Sequence, residues 1–159
     1  MFSVRSTAIL LFVAVFGLGS FCVPLRADEE KHGSKEAVKI PDSLGAIWHE
    51  VKEHQQELEN VIKTKQLAKV HEIAFRIRDL VNAMPAKSAT LSAENLSKVK
   101  SNAKFLATLA SRLDESGDAN DQAATEENYK KFAGILKNID AQYPVEALKY
   151  EGKDKDKSN

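Results

Sequence analysis

Apolar side chains recur at intervals of three and four residues in four separate stretches of the chain. The first stretch follows Pro41, and this spacing places its apolar positions on one face of an α-helix. That face comprises Leu44, Ile47, Val51, His54, Leu58 and Val61, and it is widened by Trp48 and Ile62. Asp42 or Ser43 suits the N-cap position, so the pattern predicts a helix that begins here.

A second stretch repeats the spacing in a different register. Its apolar positions are Val70, Ile73, Ile77, Leu80 and Met84. Continuing the first register through this region would select mostly polar residues, so the apolar face breaks near Lys63–Thr64–Lys65. The break predicts a tight turn at that point, and one continuous helix is the alternative. Pro85 is predicted to end the second helix.

The third and fourth stretches follow a loop over residues 86–91. Ser92 is the predicted N-cap of the third helix. Its apolar face comprises Leu96, Val99, Ala103, Leu106, Ala110 and Leu113. Gly117 is predicted to end this helix in the left-handed conformation, and Asp118 to cap the fourth helix. The fourth face comprises Tyr129, Phe132, Leu136, Ile139 and Tyr143.

Four amphipathic helices of this kind are stable only when their apolar faces pack against one another, because burial must offset the ordering of the backbone. Short loops favour antiparallel neighbours. The pattern therefore predicts an all-α fold, an antiparallel up-down-up-down four-helix bundle over residues 41–144. Residues 145–159 are predicted to form a polar C-terminal tail.

The bundle is preceded by the features of a secretory signal helix over residues 1–27. Arg5 supplies a positive charge, and residues 8–19 supply an apolar stretch that is short for a spanning helix. Cleavage is predicted near Ala27, followed by a polar linker over residues 28–40, which makes the protein periplasmic or secreted. Lipid attachment at Cys22 and an uncleaved membrane anchor are the alternatives.

Removal of residues 1–27 changes the charge and the cysteine content of the chain. The full sequence has 23 basic and 23 acidic residues in 159. The signal contains Arg5 and Arg26 and no acid, so 132 residues with 21 basic and 23 acidic side chains remain. Cys22 is the only cysteine, so a cleaved chain has no disulfide, which is compatible with export when packing alone stabilises the fold. Balanced charge gives no basis for nucleic-acid binding.

Two stretches resemble a known family. They are QLAKVHEIAFRIRDLVNAMP before the central loop and the closing IDAQYP, and with the signal and the helix order they resemble the soluble periplasmic b-type cytochromes. The resemblance implies a four-helix bundle that holds haem between a methionine early in the first helix and a histidine late in the fourth. Neither ligand is present in this chain at those places, so no cofactor is predicted. His49 and Met84 are the alternative haem ligands.

Other candidate chemistry is sparse. His54 with Glu50 and Glu57, one helical turn away on either side, is the alternative metal site. The acidic segment over residues 114–121 lacks the glycine and glutamate of a calcium-binding loop. The chain has no nucleophile–base arrangement or glycine-rich phosphate loop, so we predict that it is not an enzyme.

Two phenylalanines fall outside the apolar faces. On a helical wheel, Phe75 lies about 160° and Phe105 about 100° from the centre of its own face. His71 and Arg78 flank Phe75, and exposed aromatic residues often mark contact surfaces. We predict a patch of Phe75, His71, Arg78 and Phe105 that contacts a protein partner or a second copy. The leading hypothesis is an exported, non-enzymatic binding or accessory module, and the alternatives are a haem-binding electron-transfer protein and a periplasmic metal-handling protein. No membrane contact is predicted for the mature form unless Cys22 is lipidated.

Overall fold

The computed structural model of the protein describes residues 39–152. The predicted signal, the linker up to residue 38 and residues 153–159 lie outside that range. Within it the chain forms four α-helices and no strand, which confirms the predicted all-α class. The helices are α1 (Leu44–Lys63), α2 (Val70–Ala83), α3 (Ala93–Asp118) and α4 (Gln122–Asp140). Short 3₁₀ segments cover Leu67–Lys69, Met84–Lys87 and Val145–Leu148.

The first turn of the chain lies where the apolar register breaks. Ser43 caps α1, and its side chain accepts a hydrogen bond from the Ala46 amide at 3.2 Å. At the other end, Lys65 has a φ of 58°, and the amide of Gln66 donates to the carbonyl of Val61 at 2.8 Å. A left-handed residue with this hydrogen bond is the Schellman ending of a helix. The predicted turn is therefore confirmed, and α1 and α2 are separate helices.

The segment that links α2 to α3 also follows the sequence signals. Pro85 lies in the 3₁₀ segment that follows α2, because proline has no amide to continue the α-helical ladder. The Ser92 side chain accepts a hydrogen bond from the Asn95 amide at 3.2 Å, and it caps α3 as predicted.

The prediction for the turn between α3 and α4 is wrong. Gly117 is not the left-handed residue, because α3 continues to Asp118 and the positive φ of 52° belongs to Asn120. Asp121, and not Asp118, caps α4 by accepting from the Ala124 amide at 3.0 Å. Gly117 is needed for packing instead, since a Cβ there would lie 3.0 Å from the carbonyl oxygen of Leu67.

The apolar faces of the four helices meet in one core. Its largest fully buried side chains include Phe132, Ile47, Leu58, Ile77, Leu80, Met84, Leu106, Leu113, Leu136 and Ile139. Each helix packs against the next one in the chain, and α1 also contacts α4. No helix among the described residues is both long and apolar enough to cross a membrane.

The segment after Pro144, which is predicted to be part of a polar tail, packs against α1. Its 3₁₀ turn over Val145–Leu148 leads to the backbone of Lys149, which lies against Gly45. A side chain at Gly45 would overlap the Lys149 carbonyl, so this close approach requires glycine. Tyr150 then stacks on the ring of His49, with 4.5 Å between the ring centroids.

Candidate functional site

A hydrogen bond between His71 and Asp114 joins α2 to α3. Nδ1 of His71 lies 2.6 Å from Oδ1 of Asp114, and both side chains are partly buried. The two residues are 43 positions apart in the chain. Because the carboxylate holds the imidazole in one orientation, the ring of His71 is fixed relative to both helices.

Phe75 packs between two neighbours on α2. Its ring meets the edge of the His71 ring, with the centroids 4.5 Å apart and the planes at 78°. On its other side the Arg78 guanidinium carbon lies 4.2 Å from the Phe75 centroid, within the range of a cation–π contact. Asp79 holds that guanidinium at 2.7 Å. Phe75 is therefore half-buried and in contact with the core, although its wheel position points away from it.

Phe105 lies on a different side of α3. It is 60% exposed. Nine residues separate it from Asp114, which puts the two about 180° apart around the helix. Ser116, by contrast, is within about 20° of Phe105. Ser116 accepts a hydrogen bond from Asn128 of α4 at 3.3 Å, so Phe105 lies on the α4 side of α3.

The four residues of the predicted patch are thus divided between two surfaces. His71, Phe75 and Arg78 are in mutual contact and, with Asp114, form what we call the α2–α3 cluster. Phe105 is on the opposite side of α3. The cluster combines an aromatic ring, a guanidinium and an imidazole, each held by a neighbour, which is a composition typical of protein contacts.

The two alternative haem ligands do not face a common space. Met84 is fully buried in the core. His49 lies on the outer side of α1, where its ring stacks on Tyr150 and its Nε2 is 3.4 Å from a Glu53 carboxylate oxygen. His49 would have to leave these contacts and cross to the other side of α1, so the residues do not fit a haem held between them.

The alternative metal site is divided in the same way. Nδ1 of His54 is 3.1 Å from a carboxylate oxygen of Glu57. Glu50 instead accepts a hydrogen bond from Arg76 of α2 at 3.1 Å. Within residues 39–152, no three histidine, cysteine or acidic side chains are grouped so that they could hold a metal ion.

Two tyrosines of α4 and its C-terminal extension have altered acidity. Burial, followed by the nearby Glu59 carboxylate, raises the pKa of Tyr129 to about 12. The Tyr129 hydroxyl lies 3.3 Å from Glu59 of α1. Burial also raises the pKa of Tyr143, whose hydroxyl donates to Ser88 at 2.8 Å, while Ser88 donates to the Met84 carbonyl at 2.6 Å. These contacts are structural, because they tie helices together and present no free group to a ligand.

Sequence reasoning missed Asp114 and Gly134. No local sequence pattern links Asp114 to His71, because the two residues are far apart in the chain and meet only through the packing of α2 against α3. Gly134 lies in the interior of α4 between Phe132 and Leu136, where glycine usually weakens a helix. An unexplained glycine inside a periodic apolar pattern was the available signal.

Comparisons of the chain with protein-family models, with curated proteins and with solved structures found no match.

Proposed function

We propose that the chain is an exported, non-enzymatic accessory protein that binds a protein partner through the α2–α3 cluster. The observation that carries the proposal is the position of the Phe75 ring, which the side chains of His71 and Arg78 both contact. Aromatic and arginine side chains dominate the energetics of protein contacts. Here Asp79 and Asp114 already hold the two polar groups, so little side-chain freedom remains to be lost on binding.

The up-down-up-down course of the helices is part of this proposal. Asn95 at the start of α3 donates to the carbonyl of Gln142 just beyond α4 at 3.2 Å, whereas Ser116 near the end of α3 meets Asn128 near the start of α4. Such pairing supports antiparallel helices. The side chain of Gln122, at the start of α4, donates to the carbonyl of Ile62 near the end of α1 at 2.9 Å.

The pair α2 and α3 follows the same rule, because His71 near the start of α2 meets Asp114 near the end of α3. A nitroxide label attached at position 63, next to Ile62, tests the topology. It should broaden the amide resonances around Gln122 strongly and those around Gln142 little. The reverse pattern would exclude antiparallel packing of α1 and α4.

Export is supported by the residues that precede the bundle. Arg5, the apolar run over residues 8–19 and the acidic residues from Asp28 onward have the order of a secretory signal. Cell fractionation followed by mass spectrometry of the isolated protein tests this. We expect a periplasmic or secreted chain that begins at Asp28. A cytoplasmic chain that retains residues 1–27 would contradict export.

The partner is tested by cross-linking in the cells that export the protein, followed by recovery of the complexes. Arg78→Ala and Phe75→Ser should each lower recovery of the specific partner by about tenfold or more, as expected for central contact residues. Lys130→Ala is the matched control, because Lys130 is an exposed basic residue of α4 outside the cluster. Circular dichroism shows whether each variant is folded. Equal recovery by folded Arg78→Ala and by Lys130→Ala would reject the surface.

A further inference from the structure

Two unexplained features lie on the α3–α4 side of the molecule. Phe105 exposes 60% of its surface, whereas the other phenylalanine, tyrosine and tryptophan residues within 39–152 are buried or half-buried. A Cβ at Gly134, in the middle of α4, would meet no atom within 4 Å apart from its chain neighbours and the nearby backbone of its own helix. An interior helical glycine costs about 0.5–1 kcal/mol relative to alanine. No close contact within the described chain explains that glycine, whereas a Cβ at Gly45 would overlap the Lys149 carbonyl and one at Gly117 would lie 3.0 Å from the Leu67 carbonyl oxygen.

The two features lie at the same height along the helices. The contacts Asn95–Gln142 and Ser116–Asn128 mark the two ends of the α3–α4 interface. Phe105 is about midway between Asn95 and Ser116 along α3. Gly134 is about midway between Asn128 and Gln142 along α4. At this height α3 carries an exposed ring, and the exposed side of α4 has a place without a side chain.

Charged residues on this surface are arranged around Phe105. Lys98 and Arg112 lie seven residues before and after it, so all three are on one stripe of α3. Lys98 is paired with Glu94 at 2.6 Å, but Arg112 makes no ion pair with any residue in the described range. Glu127 of α4 lies near the height of Arg112, since Asn128 donates to the Arg112 carbonyl at 3.2 Å. Within its own chain Glu127 pairs with Lys131 at 2.7 Å, so an approaching Arg112 would share this carboxylate with Lys131.

We propose that the α3–α4 surface binds a second copy of the chain, with Phe105 of each copy packed on Gly134 of the other. A twofold axis parallel to the helices puts α3 of one copy over α4 of the second. Each residue keeps its position along the direction of the helices. Each ring then meets a glycine, and each Arg112 meets Glu127 of the second copy. Such reciprocal pairing is what a twofold interface requires.

The charges select this axis over the other twofold arrangement. An axis perpendicular to the helices, in the plane of the interface, would put Phe105 on Phe105 of the second copy. It would also put Arg112 on Lys98, and like charges opposite one another oppose association. The arrangement with opposite charges and with glycine beneath each ring is therefore the one that we assign.

The size of the surface predicts a weak dimer. α4 has 19 residues, so the surface is about 28 Å long and, across two helices, about 20 Å wide. The area buried by both copies is then about 1,100 Å², at the lower limit for specific association. We expect dissociation in the micromolar range. The proposal is independent of the α2–α3 cluster, because the two surfaces are on opposite sides of α3.

Sedimentation velocity of the purified protein from about 1 to about 200 µM tests the dimer. We expect a reversible monomer–dimer equilibrium. Phe105→Ser should raise the Kd by about 30-fold or more, as for a central aromatic contact. Gly134→Leu should act similarly by filling the space that receives the ring, and its Cβ meets nothing in its own chain. The control is Lys104→Ser, a neighbouring exposed position directed away from α4. It should leave the Kd within about twofold.

Exchange of the charges at Arg112 and Glu127 distinguishes the proposed dimer from a dimer formed through another surface or axis. Arg112→Glu and Glu127→Arg should each weaken association by about twofold to fivefold, and the double variant should restore it. A chain that is monomeric at every concentration would overturn the proposal. So would a dimer whose Kd is unchanged by Phe105→Ser or Gly134→Leu, in variants whose unfolding midpoints are not lowered. If Arg112→Glu and Glu127→Arg do not compensate in the double variant, the assigned axis is wrong.

Discussion

Phe75 and Phe105 occupy outward positions on neighbouring helices, but their surroundings differ. Phe75 has His71 four residues before it and Arg78 three residues after it, and both side chains pack on its ring. At the same spacings Phe105 has Ser101 and Thr108, whose short side chains cannot cover it, and it is 60% exposed. The direction of a residue on a helical wheel therefore does not by itself determine its exposure. The side chains one turn away also have to be considered.

Of the substitutions that test this contrast, truncation of the Phe75 ring should change stability most. Phe75→Ala should lower the free energy of unfolding by about 1.5–3 kcal/mol, less than for a fully buried phenylalanine because the ring is half-buried. Phe105→Ala should change it by less than about 0.5 kcal/mol, as is usual at the surface. Urea denaturation of dilute protein, below the concentration of any dimer, measures both. Equal losses of unfolding free energy in the two variants would contradict the difference in burial between the two rings.

A smaller effect is expected from the carboxylate that holds His71. Asp114→Ala removes the acceptor of a partly buried hydrogen bond between α2 and α3, and should destabilise the protein by about 1 kcal/mol. Denaturation of Asp114→Ala, His71→Ala and the double variant forms a thermodynamic cycle. Additive losses from the two substitutions would contradict a direct interaction.

The effect of the neighbouring side chains can also be tested by giving Phe105 the neighbours of Phe75. The double variant Ser101→His, Thr108→Arg should cover the ring and stabilise the monomer by about 0.5 kcal/mol, the size of an exposed cation–π contact. Urea denaturation measures the gain. Ser101→Ala, Thr108→Ala is the control that changes the helix positions without covering the ring. No difference between the two variants would show that neighbours alone do not explain the contrast.

The smallest effect is confined to alkaline pH and concerns Tyr129, another aromatic residue between helices. Its pKa is raised from 10.0 to about 12, mainly by burial, so the unfolded chain ionises first as the pH rises. The stability that the neutral hydroxyl contributes is therefore complete below about pH 10 and is lost towards about pH 12. Absorbance of tyrosinate during a pH titration should show a late transition that Tyr129→Phe reduces, and the remainder comes from Tyr143, whose pKa burial also raises. Ionisation of all tyrosines near pH 10 in the folded protein would contradict this.

The sequence predicts the helices of this protein well and its turns less well. Apolar spacing identifies the core positions of α1 to α4, because burial of one face is a local property of each helix. The register break alone locates the turn at Lys65. The same logic fails at Gly117, whose missing side chain serves the approach of Leu67 from another segment. A local sequence pattern cannot distinguish a glycine that ends a helix from a glycine that lets another segment pack closely against the helix.

The candidate surface was predictable only in part. His71 and Arg78 flank Phe75 at helical spacing, so their contact with its ring could be inferred from the sequence. The hydrogen bond from His71 to Asp114 could not, because it depends on how α2 and α3 are rotated against each other. That rotation also puts Phe105 on the far side of α3, which a wheel of one isolated helix does not reveal.

The packing of Lys149 against Gly45 has a consequence for the connectivity of the chain. It brings the beginning and the end of the helical region together, so the four helices form a nearly closed circuit. A short linker from Tyr150 to Ile40 could close that circuit, and the chain could be reopened between Asn120 and Asp121. Such a circular permutant should keep the same core, because chain order would change while every packed face retains its neighbour.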